Sequence, residues 1–287
     1  MANAPRAVRK LTELRSEVAL WRKAGERVAL VPTMGALHEG HLSLVRLAHT
    51  RADRVVASIF VNPAQFAPTE DFDKYPRTWE SDLAALASVS CDLVWAPTKA
   101  EMYPDGFATR VAPAGAAEGL ETQFRPHFFG GVATVVCKLF LQCQPDVAIF
   151  GEKDYQQLQV ITQMVRDLDI PVEVIGAPTV READGLAMSS RNAYLSAAER
   201  ATAVLISQTI REVAGKVGKG EDGAAATAAG IRALTAAGYR VDYLEVCGAA
   251  DLKPIAGTVH GPARVLVAAW LGKTRLIDNV AVEEAGR

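Results

Sequence analysis

The sequence predicts an α/β protein, a doubly wound parallel sheet with a smaller C-terminal α+β domain. Three observations carry this expectation. Short β-branched runs alternate with longer helical stretches, as in successive βα units. The central runs are nearly continuous in apolar residues, which suits strands covered on both faces. After about Leu186 the pattern changes to two helices and then strand-like runs separated by turn residues, the order expected of a small antiparallel sheet.

In chain order, the first strand candidates are Val28–Val31, Arg54–Val61, Asp92–Trp95, Asp146–Phe150 and Val172–Ile175. Helical stretches fall between them at His41–Arg51, Thr78–Val89, Val132–Leu141 and Tyr155–Leu168. In the last, Leu158, Ile161, Met164, Val165 and Leu168 share one face at helical spacing. Ser196-Ala197-Ala198-Glu199 reads as a capping box opening a helix through about Val213. A Gly-rich break at Gly218–Gly223 precedes an alanine-rich helix to about Ala237. Alanine is the best helix former, so this composition reads as helix rather than low complexity. Strand-like runs follow at Tyr239–Val246, Arg264–Trp270 and Leu276–Val282. Two domains are expected, residues 1–185 and 186–287.

A chain of 287 residues has ample core for this plan. The net charge of -2, with no run of Lys and Arg, argues against the basic surface of a nucleic-acid-binding protein. The longest apolar run, Val265–Leu271, is too short to span a bilayer, and the charged N-terminus leads into an amphipathic helix pattern rather than a signal peptide. Cys91, Cys137, Cys143 and Cys247 lack C-x-x-C spacing and lie in apolar segments, which favours reduced, buried thiols over disulfides or metal ligands. A cytoplasmic protein without nucleic-acid or membrane partners is expected.

Ligands of open α/β sheets bind beyond the carboxyl ends of the strands, and polar loops fall there. The first is Pro32-Thr33-Met34-Gly35-Ala36-Leu37-His38-Glu39-Gly40-His41. Its two histidines are three apart, so they share a face of an opening helix turn. Gly35 and Gly40 allow close approach of the backbone to a ligand, and the helix start favours an anion. Histidines there can donate to phosphate oxygens as charge develops; satisfied structural histidines are the alternative. The pair is similar in part to the zinc metalloprotease helix, but that motif needs histidines four apart and a further ligand, so no metal site is expected.

The second loop is Gly151-Glu152-Lys153-Asp154-Tyr155-Gln156-Gln157, where Lys153 can reach phosphates as a point charge and Asp154 occupies a capping position. Gln157 falls in the first helical turn. The third loop, Arg181 to Asn192, places Ser189 and Ser190 beside Arg191, short donors next to a delocalised charge that suit polyphosphate. A solvated turn and a polar linker are the alternatives for these two. The strand Arg54–Val61 ends in Asn62-Pro63-Ala64-Gln65-Phe66, with Tyr75-Pro76-Arg77-Thr78 beyond. Neutral amides beside an aromatic suit the hydroxyls and carboxylate of a small substrate. Asn62 serves equally as a structural cap; Gln65 has no evident capping role.

Together Met34–His41, Asn62–Phe66, Tyr75–Thr78, Gly131–Phe140, Gly151–Gln157 and Met188–Asn192 resemble the pantothenate synthetase family, in the same order through nearly the whole chain. The paired histidines alone indicate only the wider nucleotidyltransferase superfamily, in which Met188-Ser189-Ser190-Arg191 resembles the second, triphosphate-binding signature. The resemblance implies a Rossmann-like domain with a smaller C-terminal domain closing over ATP. It implies a homodimer, magnesium-ATP as the nucleotide, and condensation of pantoate with β-alanine to pantothenate through a pantoyl-adenylate, releasing AMP and pyrophosphate. It further implies ATP binding by Met34, Gly35, Ala36, Leu37, His38, Glu39, Gly40 and His41, by Gly151, Glu152, Lys153 and Asp154, and by Val180, Met188, Ser189, Ser190 and Arg191. Gln65 and Gln157 are implied to bind pantoate, Gln65 also near β-alanine. His41 is the family's catalytic acid, with His38 and Lys153 beside it at the phosphates. One stretch departs: Arg125-Pro126-His127-Phe128 carries its histidine one position earlier than the family does, so no role passes to His127.

Three rivals remain at this stage. Another adenylyltransferase of the superfamily would release pyrophosphate but no AMP. A tRNA synthetase would need an anticodon-binding appendage, and a non-enzymatic nucleotide sensor would have no use for both glutamines.

Overall fold

The computed structural model describes residues 5–68 and 70–283, so the outer ends of both expected domain ranges, residues 1–4 and 284–287, lie outside the described residues. In chain order the elements are β1 (Arg6–Val8), α1 (Leu11–Lys23), β2 (Val28–Thr33), α2 (Glu39–His49), β3 (Arg54–Ile59), α3 (Trp79–Ser88), β4 (Leu93–Trp95) and α4 (Lys99–Met102). Then come α5 (Glu121–Phe124), α6 (Phe128–Cys143), β5 (Val147–Gly151), α7 (Tyr155–Asp167) and β6 (Glu173–Ala177). The chain ends with α8 (Ala197–Gly218), α9 (Gly223–Ala236), β7 (Arg240–Gly248), β8 (Ala263–Leu271) and β9 (Thr274–Val282). Two compact units result: the chain through Glu152 with Val160–Pro178, and Lys153–Gln159 with the chain from Thr179 onward.

The first unit is built on a six-stranded sheet in the order β1-β4-β3-β2-β5-β6, parallel throughout. Val28, Ala29, Leu30 and Val31 are fully buried, so β2 is covered on both faces, as its unbroken apolar run requires. Against one face pack Leu44, Val45 and Ala48 of α2 and Leu86 of α3. Strand starts are held by aspartates: Asp146 accepts from the Val28 N–H at 2.7 Å and Asp92 from the Val55 N–H at 2.8 Å. From β2 the chain moves outward through β3 and β4, then returns to β5 and β6 on the other side. The reversal places a topological switch point at β2 and β5, whose carboxyl ends carry the histidine loop and the Gly151–Asp154 loop.

In the second unit, β7, β8 and β9 form the expected antiparallel sheet. Its core gathers Ile206, Ile210 and Val213 of α8, Leu234 of α9 and Val265 and Val267 of β8. The Ser196 box forms as read: Glu199 N–H donates to Ser196 Oγ at 3.3 Å and Ser196 N–H to the Glu199 carboxylate at 2.8 Å. The helix it opens runs beyond Val213 to Gly218.

Elements differ from the sequence reading mainly at their ends, and one strand was missing from it. β1 has three residues, of which Val8 alone is buried, too little for a periodic signal. α6 starts at Phe128, ahead of the expected Val132, because glycines at its start mask the pattern. All four cysteines are free thiols, Cys91, Cys143 and Cys247 buried. Among the described residues no helix is long and apolar enough to cross a membrane.

Candidate active site

The histidine loop leaves β2 through two left-handed residues, Gly35 (φ +83°) and Ala36 (φ +51°), which turn the chain into α2. Thr33 anchors the turn: its hydroxyl donates to the Ser58 carbonyl at 2.7 Å and accepts from the Gly35 N–H at 3.2 Å. The histidines then cap α2 reciprocally. His38 Nδ1 accepts from the Gly40 N–H at 3.1 Å, and His41 Nδ1 accepts from the His38 N–H at 3.3 Å. The rings lie 4.1 Å apart between centroids, tilted by 42°. With Nδ1 an acceptor, each neutral imidazole carries its proton on Nε2. The capping thus makes both rings Nε2 donors at a helix N-terminus, where an anion is favoured. Glu39 is paired with Arg46, whose guanidinium holds its carboxyl below the usual carboxylate range.

The loop rests on Asp82, a residue the sequence reading did not select. This carboxylate is buried, 3% exposed, and accepts from Ala36 N–H at 3.0 Å, Leu37 N–H at 2.8 Å and the Thr78 hydroxyl at 3.2 Å. It stands so close that a Cβ on Gly35 would meet its Oδ2 at 3.0 Å. Asp82 also lines a cleft of about 310 Å³ on which only Met34 and Gly35 of the expected site residues border. Asp82→Asn turns one of the two acceptors toward Ala36 and Leu37 into a donor, leaving a backbone N–H facing an NH₂. A buried polar group left unpaired costs ~1–3 kcal/mol. The expected result is a rise of roughly tenfold in the ATP requirement, with a smaller change for β-alanine. Unchanged ATP kinetics in the folded variant would remove Asp82 from the loop's support.

The amide turn after β3 is buried and internally bonded. Asn62, 1% exposed, uses its whole amide within the protein. Its Oδ1 accepts from Ala64 N–H at 3.2 Å and the Tyr103 hydroxyl at 2.8 Å, while Nδ2 donates to Gln65 Oε1 at 3.0 Å and the Gly131 carbonyl at 3.1 Å. Asn62 is therefore a structural hub that orients Gln65. Fixed through Oε1, the Gln65 side chain points Nε2 toward Met34 Sδ at 3.2 Å, joining this turn to the histidine loop. Arg125 secures the turn's backbone: it donates to the Gln65 carbonyl at 3.3 Å, pairs with Glu70 through two bonds of 2.7 and 2.8 Å, and lies 3.9 Å over the Phe128 ring. His127, two residues further on, has an enclosed Nε2 without a hydrogen-bond partner.

In the second unit, Lys153 follows Gly151 and Glu152 and has a side chain 20% exposed, its Nζ 3.9 Å from Asp154. The first turn of α7 is tied to the small sheet. The Tyr155 hydroxyl donates to the Ala249 carbonyl at 2.9 Å, and the Arg264 guanidinium lies 3.8 Å over its ring. Gln157 is half-buried in that turn. Val180 and Met188 are brought together, the Met188 N–H donating to the Val180 carbonyl at 3.0 Å across a hairpin that turns at Gly185. Ser189 caps the short turn Ser190–Tyr194 by accepting from the Arg191 N–H at 3.3 Å. Hydroxyls, backbone N–H groups and a guanidinium are thereby gathered on one short segment, a set suited to phosphate oxygens. Among the described residues no three His, Cys, Asp or Glu side chains gather as metal ligands.

The family model described as pantoate-beta-alanine ligase matches residues 6–281. Pantothenate synthetase of Bradyrhizobium sp. strain BTAi1 is 60% identical over 283 residues, 98% of this chain and 100% of the relative. The Caulobacter vibrioides pantothenate synthetase is 59% identical, covering 97% of this chain and 99% of its own length. Among solved structures, pantothenate synthetase from Thermus thermophilus superposes with a TM-score of 0.91 at 48% identity, covering 97% of this chain and 99% of the other. Pantoate-beta-alanine ligase from Francisella tularensis, solved with β-γ ATP and β-alanine, gives 0.83 at 33% identity, with 99% of each chain covered. The chain belongs to the pantoate–β-alanine ligase family.

Proposed function

We propose that the chain condenses pantoate with β-alanine through a pantoyl-adenylate, consuming ATP and releasing AMP and pyrophosphate, with the residues described above as its site. The observation that carries the residue assignment is the reciprocal capping of α2, which makes Nε2 of His38 and His41 donors at a helix start. In the first step a pantoate carboxylate oxygen bonds to the α-phosphorus. The bond from that phosphorus to the bridging oxygen breaks, and pyrophosphate leaves with the electron pair. Positioning and charge stabilisation suffice for such a transfer, so no protein nucleophile is required.

His38, His41 and Lys153 take the α- and β-phosphate region, the two histidines as Nε2–H hydrogen-bond donors and Lys153 as a positive charge. Ser189, Ser190 and Arg191 hold the departing pyrophosphate. The backbone of Met34–His41, Gly151–Asp154, Val180 and Met188 completes the nucleotide contacts. Gln65 and Gln157 hold pantoate. In the second step the neutral amine of β-alanine attacks the acyl carbon, the bond to AMP breaks, and the nitrogen's proton passes to water. Gln65 lies nearest β-alanine in this reading.

Magnesium, implied by the family resemblance, would enter with the nucleotide and offset the charge on its phosphates. A homodimer is proposed from the family; sedimentation at the monomer mass would contradict it. Residence in the cytoplasm is proposed on four free thiols, of which burial pushes Cys91, Cys143 and Cys247 up to about 12. Disulfides in protein isolated under thiol-trapping conditions would contradict that.

The test is to assay AMP and pyrophosphate from magnesium-ATP, with pantoate and β-alanine added singly and together. AMP release that requires both, with equal pantothenate, is the expected result; no AMP from folded, ATP-binding protein would overturn the reading. Gln157→Ala is expected to raise the pantoate requirement about tenfold or more and that for ATP much less, since a lost hydrogen bond to a charged group is worth ~1.5–3 kcal/mol. A change in ATP affinity alone would contradict the assignment.

A further inference from the structure

We infer that Asn279, on β9, is a positioning residue for Lys153. Asn279 is 4% exposed, and its Nδ2 donates to the Lys153 carbonyl at 2.8 Å across 126 residues of sequence. The inference rests on the reading above, that Lys153 acts on the nucleotide.

The mount behind Asn279 is rigid. Its N–H donates to Asp278 Oδ1 at 2.7 Å, and its carbonyl accepts from Arg181 Nη2 at 3.2 Å. Arg181 grips Asp278 through two parallel bonds of 2.7 and 2.9 Å, and the Asp278 side chain is 0% exposed. A bidentate guanidinium–carboxylate pair of this kind fixes direction as well as distance. Arg181 also donates to the Gly185 carbonyl at 3.1 Å, which secures the hairpin joining Val180 and Met188. The same buried pair therefore braces both the hairpin and, through Asn279, the lysine.

A hydrogen bond to the Lys153 carbonyl fixes the peptide plane between Lys153 and Asp154, and with it the direction in which the lysine's Cα–Cβ bond leaves the chain. That control matters for a lysine, whose ammonium is a point charge on a flexible four-carbon stem. The contact to Asp154, at 3.9 Å, is too long to orient it. Displacement of a catalytic group by about 1 Å costs roughly 10²-fold in rate, so a cation set loose by removal of its anchor has a large expected effect.

The test is a double-mutant cycle on the first half-reaction, single-turnover pyrophosphate release from magnesium-ATP and pantoate, using wild type, Asn279→Ala, Lys153→Ala and the double variant. Asn279→Ala alone is expected to slow release roughly 10- to 100-fold. In the Lys153→Ala background it is expected to cost less than about 2-fold, because interacting sites are not additive. Equal losses in both backgrounds would show that Asn279 acts independently of the lysine and overturn the inference. A normal rate for Asn279→Ala beside a slow Lys153→Ala would remove the inference alone. A normal rate for Lys153→Ala would remove the lysine from the mechanism, and the inference with it. Should Asn279→Ala unfold, Asn279→Thr serves in the same cycle: it suits a strand, and its hydroxyl is too short to reach the carbonyl.

Discussion

Alanine at Lys153 or His41 is expected to slow pantoyl-adenylate formation by roughly 10²–10³-fold, the usual loss when one donor to developing charge is removed. Pyrophosphate release under single-turnover conditions reads this step without the later transfer to β-alanine. The two substitutions are not equally clean. His41 Nδ1 also accepts the His38 N–H, so its removal loses part of the α2 cap, and lost caps cost ~0.5–2 kcal/mol. The Lys153 ammonium has its nearest ionic contact at 3.9 Å, to a half-exposed Asp154. That contact is beyond hydrogen-bond length and Asp154 is half-exposed, so losing it removes little stability. Lys153→Ala should therefore unfold at the wild-type temperature while turning over slowly, and His41→Ala should unfold a few degrees lower. Near-normal turnover by either folded variant would remove that residue from the mechanism.

How much of this was legible in the sequence depends on how far apart the interacting residues are. Strands β2 to β5 could be read because parallel strands buried on both faces leave unbroken apolar runs. The Ser196 box could be read because its partners are three residues apart. The histidine, lysine and serine loops could be read for the same reason: glycines, charge and hydroxyls concentrate within a few positions. The supports of those loops could not. Asp82 reaches Leu37 across 45 residues, Arg125 reaches Gln65 across 60, and Asn279 reaches Lys153 across 126. Each has an ordinary local reading that hides it. Asp82 looks like a first-turn acid complementing a helix dipole, and Asn279 like a polar residue in an edge-like strand. Asn62 shows how the fold decides between open alternatives. As ligand contact or cap it was undetermined, but the four hydrogen bonds it makes inside the protein establish it as a structural hub.

Gly131→Ala separates local propensity from tertiary packing by the sign of its effect. Gly131 lies within α6, where replacing glycine by alanine gains ~0.8–1 kcal/mol of helix propensity. The tertiary structure opposes this. A Cβ at Gly131 would lie 2.3 Å from the Ala64 carbonyl oxygen and 2.7 Å from the Gln65 nitrogen. Both are backbone atoms, so no side-chain rotation relieves the clash; α6 and the Asn62–Gln65 turn must separate. Overpacking of this kind costs ~1–3 kcal/mol and occasionally more, which outweighs the propensity gain. At about 2–4 °C per kcal/mol for a domain of this size, a net loss of several degrees in Tm is expected. The separation would also stretch the bond from Asn62 Nδ2 to the Gly131 carbonyl, now 3.1 Å, and with it the orientation of Gln65. The pantoate requirement should therefore rise more than the ATP requirement. Gly130→Ala is the control one position away: it gains the same propensity, and its nearest neighbour outside the helix is the Val111 carbonyl oxygen at 3.8 Å. It should match or exceed wild-type stability with pantoate kinetics unchanged. Stabilisation by Gly131→Ala would mean that α6 can move off the turn freely, and that the turn's geometry, and the role given to Gln65 within it, does not depend on this close approach.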